Sequence, residues 1–163
     1  MIFMIRSIFF AMVLLSVTCK HRTESFYMGY IEGDLYRVPL IYPYQITQLY
    51  GLEKGKGLTN SWALNFHYEG DSTTPGFSNG VMVSEINVSN GIIYGYDYEQ
   101  PDYPGVWFVI VPDQRVEKVF KNNKKQWNEF LSQYNISNPE LYQVWEIFEE
   151  FKNSSKLPWY TPD

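Results

Sequence analysis

Two β-rich runs meet at an Asn-Gly dipeptide, and no other feature of the chain limits its fold as much. Residues 81–88 (Val-Met-Val-Ser-Glu-Ile-Asn-Val) and 92–98 (Ile-Ile-Tyr-Gly-Tyr-Asp-Tyr) flank Ser89-Asn90-Gly91. Asn and Gly both accept positive φ, which a tight hairpin turn requires, so the spacing predicts an antiparallel pair closed there. Pro101 and Pro104 make the next stretch, Glu99 to Gly105, a loop. Val106–Val111 follows, the most apolar run after the N-terminal segment, and is expected to be a buried central strand. Pro112-Asp113-Gln114 then turns the chain into a second hairpin partner, Arg115 to Phe120.

Upstream, Leu35 to Tyr44 is extended and apolar. Pro39 and Pro43 exclude a helix interior or a central strand, so an edge segment is expected, with Gln45 to Tyr50 as a continuation. Ser61 to Tyr68 alternates as a strand, with Trp62, Leu64 and Phe66 on one face and Ala63, Asn65 and His67 on the other. Glu53–Thr59 and Glu69–Gly80 are polar, Gly-bearing loops.

Two helices are expected at the C-terminal end. Trp127, Phe130, Leu131 and Tyr134 recur at helical spacing within Asn122–Tyr134. Asn138-Pro139 supplies an N-cap followed by Pro at the first helical position, predicting a second helix to about Lys152 with Leu141, Val144, Trp145, Phe148 and Phe151 along one stripe. The resulting class is α+β: a mostly antiparallel sheet of about five to six strands with both helices packed on one face. Trp107, Phe108, Ile110, Trp127, Phe130, Leu131, Trp145 and Phe148 are its expected core.

The net charge of −5 and the lack of any basic stripe exclude phosphate-backbone recognition, so no nucleic-acid partner is expected. Aromatic residues reach 18%, with 14 Tyr, 11 Phe and 5 Trp, enough to supply both a sheet core and an amphipathic contact surface.

Catalytic chemistry is sparse. The chain has two histidines, His21 and His67, and His67 precedes Glu69 and Asp71 at a strand end that Gly70 interrupts. Asp97 and Glu99 alternate onto one strand face beside Asp102. A hydrolase using Asp97, Glu99 or His67 is the enzymatic alternative, but no cleft is legible. Neither a phosphate-loop spacing nor a Gly-x-Ser-x-Gly elbow occurs. Neither a metal nor another cofactor is expected. Three Asn-x-Ser triplets begin at Asn87, Asn135 and Asn153. Recognition is instead expected at two polar loops and the aromatic residues beside them: Tyr68, Glu69, Asp71 and Phe77 in the first, and Tyr98, Glu99, Asp102 and Tyr103 in the second. Their acids would steer a basic partner.

The N-terminal segment has a different logic. Arg6 precedes an apolar run, Ile8 to Leu15, then small residues and Cys19, the one cysteine of the chain. This is the layout of an export signal, and the run is shorter than the about 20 residues needed to span a bilayer. Ser16-Val17-Thr18-Cys19 resembles the lipobox of bacterial lipoproteins, with Ser16 where Leu is usual and Thr18 where a smaller residue is usual. The resemblance implies removal of residues 1–18 and lipidation of Cys19; the polar composition after Cys19 makes residues 19–33 an expected tether, and the remaining length fits one domain, 34–163. Two or more acyl chains would hold the protein stably to a membrane, on the periplasmic or outer-membrane side of a cell envelope. In size, acidity and poverty of catalytic groups the domain is similar in type to small immunity proteins that neutralise a toxin. A glycan- or envelope-associated accessory lipoprotein is the other binding alternative.

Overall fold

The computed structural model describes residues 26–29, 31–32, 35–48, 62–66, 81–97 and 105–160. Among the described residues, ten strands form two antiparallel sheets. The first holds, in spatial order, β1 (Ile31–Glu32), β2 (Leu35–Pro39), β3 (Tyr44–Gln48), β4 (Trp62–Phe66) and β5 (Val81–Met82). The second runs β10 (Tyr142–Gln143), β6 (Glu85–Ser89), β7 (Ile92–Asp97), β8 (Val106–Val111) and β9 (Val116–Lys121). Helices α1 (Lys124–Ser132) and α2 (Val144–Ser154) complete the α+β fold, near the C-terminal end as expected.

The Asn90-Gly91 hairpin forms in the expected register. Ser89 faces Ile92, and Asn90 and Gly91 take φ of 52° and 73°. Positive φ at both central positions gives a turn whose twist matches that of the flanking strands. At the next connection Pro112–Gln114 form one turn of 3-10 helix, and Arg115, at φ 52°, delivers the chain into β9.

The expected single sheet is divided because the run 81–88 breaks at Val83-Ser84. The Val83 amide donates to the Trp62 carbonyl in the first sheet, and the next amide, Ser84, donates to Tyr96 in the second. One peptide thus passes the chain from sheet to sheet. The segment 35–50 also differs from expectation. It folds back as a hairpin, with Val38 opposite Ile46 and a tight turn in which Tyr44 donates to Ile41 and Leu40 donates to Tyr44. Pro39 ends β2, and Pro43, following a cis Tyr42–Pro43 bond, sits in the turn.

The two helices occupy separate cores, not one face. Alternation along β6–β8 sends Ile86, Ile93, Phe108 and Ile110 inward, where they meet Val38, Leu40, Ile46 and Leu64 of the first sheet and Val144, Ile147, Phe148 and Phe151 of α2. Ile92, Tyr94, Val109 and Val111 point the other way and are covered by Trp127, Phe130 and Leu131 of α1. Asn123 caps α1 by accepting the Gln126 amide. The helix closes with paired bonds from Asn135 N to Ser132 O and from Ile136 N to Leu131 O around a left-handed Asn135, and Ile136 is buried against Leu131.

Helix α2 starts at Val144, later than Asn138-Pro139 predicts. Residues Tyr142 and Gln143 instead pair with Ile86 and Glu85, and Asn87 Nδ2 donates to the Glu140 carbonyl. Long-range pairing holds this stretch extended against its local helix signal. Ile147 takes the stripe position expected of Trp145, which is 41% exposed. At 100° per residue, 144, 147, 148 and 151 share one face and 145 lies well off it. Trp107 is half-buried rather than buried, while the other six expected core residues are buried.

Within the stretch expected as a tether, residues 26–29 are held against the body. The Arg37 guanidinium, 8% exposed on β2, donates to the carbonyls of Phe26, Met28 and Gly29 and to Gln45 Oε1. Tyr27 donates to the Leu40 carbonyl and stacks on Tyr160 with centroids 3.9 Å apart. Trp159 Nε1 donates to the Pro39 carbonyl, so both ends of the described chain close over the same β2–β3 turn.

Candidate functional site

An aromatic ladder lines the end of the second sheet. Tyr96 on β7 and Trp107 on β8 are cross-strand partners on one face, and their rings stack at 4.2 Å and 27°. Trp107 then meets Trp127 of α1 at 4.6 Å, and Trp127 meets Tyr94 edge-on at 6.0 Å. Depth changes along this line: Trp127 and Tyr94 are buried, whereas Tyr96 and Trp107 are half-buried. Trp127 is fixed by donating Nε1 to the Phe108 carbonyl at 3.1 Å. Lys124, in the first turn of α1, places Nζ 4.7 Å from the Trp107 ring centre. Gly105 makes room for the ladder, since a Cβ there would collide with the Tyr96 hydroxyl.

The ladder stands where connection 98–104 leaves β7 and enters β8, and Asp97 faces Val106 across its base. Tyr98, Glu99, Asp102 and Tyr103, expected to carry recognition, belong to that connection and lie outside the described residues. So do Cys19, His67, Tyr68, Glu69, Asp71 and Phe77. Asp97 is described. It is 4% exposed, and its Oδ1 accepts the Ser84 hydroxyl at 3.1 Å, which ties β7 to the residue where the chain changes sheets.

The two expected recognition loops are rooted apart. Connection 67–80 leaves the C-terminal end of β4 and enters β5 at Val81, opposite Leu64. Val83, Ser84 and Tyr96 lie toward the other end, where β4 begins at Trp62. Phe66 is four residues from Trp62 along one strand, about 13 Å. The connection whose base adjoins 98–104 is 49–61, between Gln48 and its partner Trp62.

Tyrosine environments vary by position. Burial pushes the Tyr27 phenol above its ordinary value, aided by Tyr160 and opposed by a hydrogen bond with the Tyr42 backbone. Burial also raises Tyr94, with Tyr142 and Glu140 adding to the effect. Tyr142 is raised by desolvation and by the Glu140 carboxylate to which it donates at 3.1 Å. These groups stay neutral near pH 7 and act through apolar rings and hydroxyl donors. Among the described residues no cluster of three or more His, Cys, Asp or Glu is placed to hold a metal ion.

What the ladder offers is a half-buried, flat aromatic surface with a cation at its edge, suited to amphipathic contact rather than proton transfer. Tyr96 and Lys124 are not among the contact residues expected from the sequence, and Trp107 is expected there in the core. Strand alternation carried through the β7–β8 register would have put Tyr96 and Trp107 side by side. Nothing local in the sequence places Lys124 over them. No family model, curated protein or solved structure matches the chain.

Proposed function

We propose that this chain is anchored to a bacterial cell envelope by lipid on Cys19 and acts there by binding another protein, as an immunity protein that neutralises a toxin does. The observation that carries the reading is the position of its one cysteine, at the end of an apolar run of signal-peptide length and within Ser16-Val17-Thr18-Cys19. An unpaired cysteine in an exported protein has no disulfide role, whereas a lipid acceptor needs this placement.

Two further features support binding. The Tyr96–Trp107 surface gives rigid aromatic area beside a connection rich in Tyr and acid. The chain without residues 1–18 is one unit more negative than the whole, since that segment carries one Arg and no acid, and a basic partner would be drawn to it.

Anchoring and immunity are tested separately. Wild-type chain expressed in a bacterium should incorporate radiolabelled palmitate, and Cys19→Ala should incorporate none and accumulate as precursor or soluble protein. Mature, membrane-bound Cys19→Ala would exclude this anchor. For immunity, a toxin encoded beside this gene should stop growth when expressed alone, and co-expression of this chain should restore it. No rescue would leave an anchored protein that is not an inhibitor. Tyr98→Ala with Tyr103→Ala should reduce rescue while leaving the melting temperature nearly unchanged.

A further inference from the structure

Met28 is the most open large hydrophobic side chain among the described residues, at 75% exposure, and Tyr42 is 41% exposed. Both stand at one end of the fold. The Phe26 ring meets Tyr42 edge-on at 5.3 Å. The carbonyls of Phe26 and Met28 accept from the same nitrogen, Arg37 Nη2, at 3.0 and 2.9 Å, which sets Met28 beside Phe26 near the β2–β3 turn. Trp159 and Tyr160 reach the same turn through the Pro39 carbonyl and the Tyr27 ring. The three runs that converge here, 26–29, 39–43 and 158–160, hold no charged residue, in a chain of which 19% is charged. A contiguous apolar and aromatic surface of this kind marks a contact with protein or membrane.

Two observations favour lipid as the occupant. First, the carbonyls of this end are bonded from within. Arg37 donates to those of Phe26, Met28 and Gly29, Tyr27 to that of Leu40, Trp159 to that of Pro39, and the Tyr44 amide to that of Ile41. Carbonyls satisfied by the protein lose little when water gives way to a low-dielectric medium, whereas open ones are penalised. Second, Cys19 and Phe26 are seven residues apart, a span of at most about 25 Å whatever path the chain takes. A lipid on Cys19 therefore keeps this end of the fold within reach of the bilayer surface. Lys20 and Arg22 lie in that link, where anionic headgroups attract them.

We propose that Phe26, Met28 and Tyr42 form a docking face that rests on the headgroup–acyl boundary of the bilayer holding Cys19, a placement that depends on the lipid anchor proposed above. Aromatic rings with a polar tip favour this depth, and Met28 supplies a flexible apolar side chain to enter it. The contact also sets the orientation of the molecule. Tyr44, at the β2–β3 turn, pairs with Phe66, and Gln48 pairs with Trp62 at the other end of β3, about 13 Å away. The Trp62 carbonyl accepts the Val83 amide, and the next amide, Ser84, donates to Tyr96, so the aromatic ladder is rooted toward that far end. A fold seated on lipid through the β2–β3 turn thus holds Tyr96 and Trp107 toward the aqueous side, open to a soluble partner.

The test uses the full chain expressed in a bacterium, purified from membranes in mild detergent and returned to vesicles of phosphatidylethanolamine and phosphatidylglycerol. Acylation consumes the Cys19 thiol, so an introduced cysteine is the sole thiol left to carry an environment-sensitive fluorophore. On Met28→Cys or Tyr42→Cys the label should shift to shorter wavelength and lose most of its emission to a nitroxide on the lipid acyl chains. The same label on Val119→Cys or Trp145→Cys, at positions exposed elsewhere on the fold, should keep its aqueous emission. Adding Met28→Asp to Tyr42→Cys should return that label to water, with acylation and urea midpoint unchanged. The intact mass of each sample reports the anchor separately. Acylated protein whose labels at 28 and 42 stay aqueous would overturn the docking face and leave the anchor standing. Equal quenching at all four positions would overturn it as well, since the contact would then have no preferred face. A Cys19 without acyl groups would remove the anchor, and the docking face with it.

Discussion

Single residues show where exposure and burial separate chemically similar side chains. Trp127 and Trp145 are both helical tryptophans, but Trp127 is 1% exposed and hydrogen-bonded to Phe108, while Trp145 is 41% exposed and touches Phe148 at the surface. Trp127→Ala should cost about 3–5 kcal/mol in chemical denaturation. Trp145→Ala should change stability by less than about 1 kcal/mol. Equal losses would mean that α2 is rotated from its described position. Arg37 gives a second test at this scale. Its guanidinium serves three carbonyls of residues 26–29, so Arg37→Met should expose that segment to proteolysis before the rest of the domain opens.

At the scale of elements, the close approach of strands fixes what each position tolerates. A Cβ on Gly95 would lie 2.5 Å from both the Glu85 carbonyl oxygen and the Phe108 ring. Gly95→Ala should therefore destabilise by about 1–3 kcal/mol through overpacking, measured as a shift in urea midpoint. The elements differ in how far local sequence foretold them. The β6–β7 hairpin and α1 were legible because their signals are local: positive φ at Asn90-Gly91, and the 3.6 spacing of Trp127, Phe130 and Leu131. The start of α2 was not. Asn138-Pro139 carries a valid helix-start pattern, but pairing of Tyr142 and Gln143 with β6, more than fifty residues earlier, overrides it. The change of sheet at Val83-Ser84 has no turn residue to announce it, because the chain bends between two sets of hydrogen bonds instead of at a Gly or Pro. The ladder was half legible: its aromatic residues stand out in composition, but their grouping depends on the β7–β8 register and on where α1 lands.

For the whole molecule, two cores share one central sheet, and tyrosines are buried in or beside both. This gives stability a specific alkaline limit. Tyr27 and Tyr94 have phenols raised above the ordinary value of 10.0, so the unfolded chain loses these protons first as pH rises. Above about pH 10 the unfolded state binds fewer protons than the native state, and unfolding free energy falls with pH. Below that pH these groups impose no slope. Urea midpoints should thus hold up to about pH 10 and fall above it, and Tyr94→Phe should reduce the fall. A flat profile would contradict the burial of both phenols. The same molecule is held, in the account proposed above, to a membrane at its N-terminal end, with Arg37 binding residues 26–29 close to the body and leaving a short link back to Cys19. The most direct measurement is the intact mass and N-terminal peptide of the protein recovered from the membrane fraction of a bacterium expressing the full chain. The account predicts a chain that begins at Cys19 and carries a thioether-linked diacylglyceryl group. A chain that keeps residues 1–18, or one cleaved elsewhere with an unmodified Cys19, would contradict it.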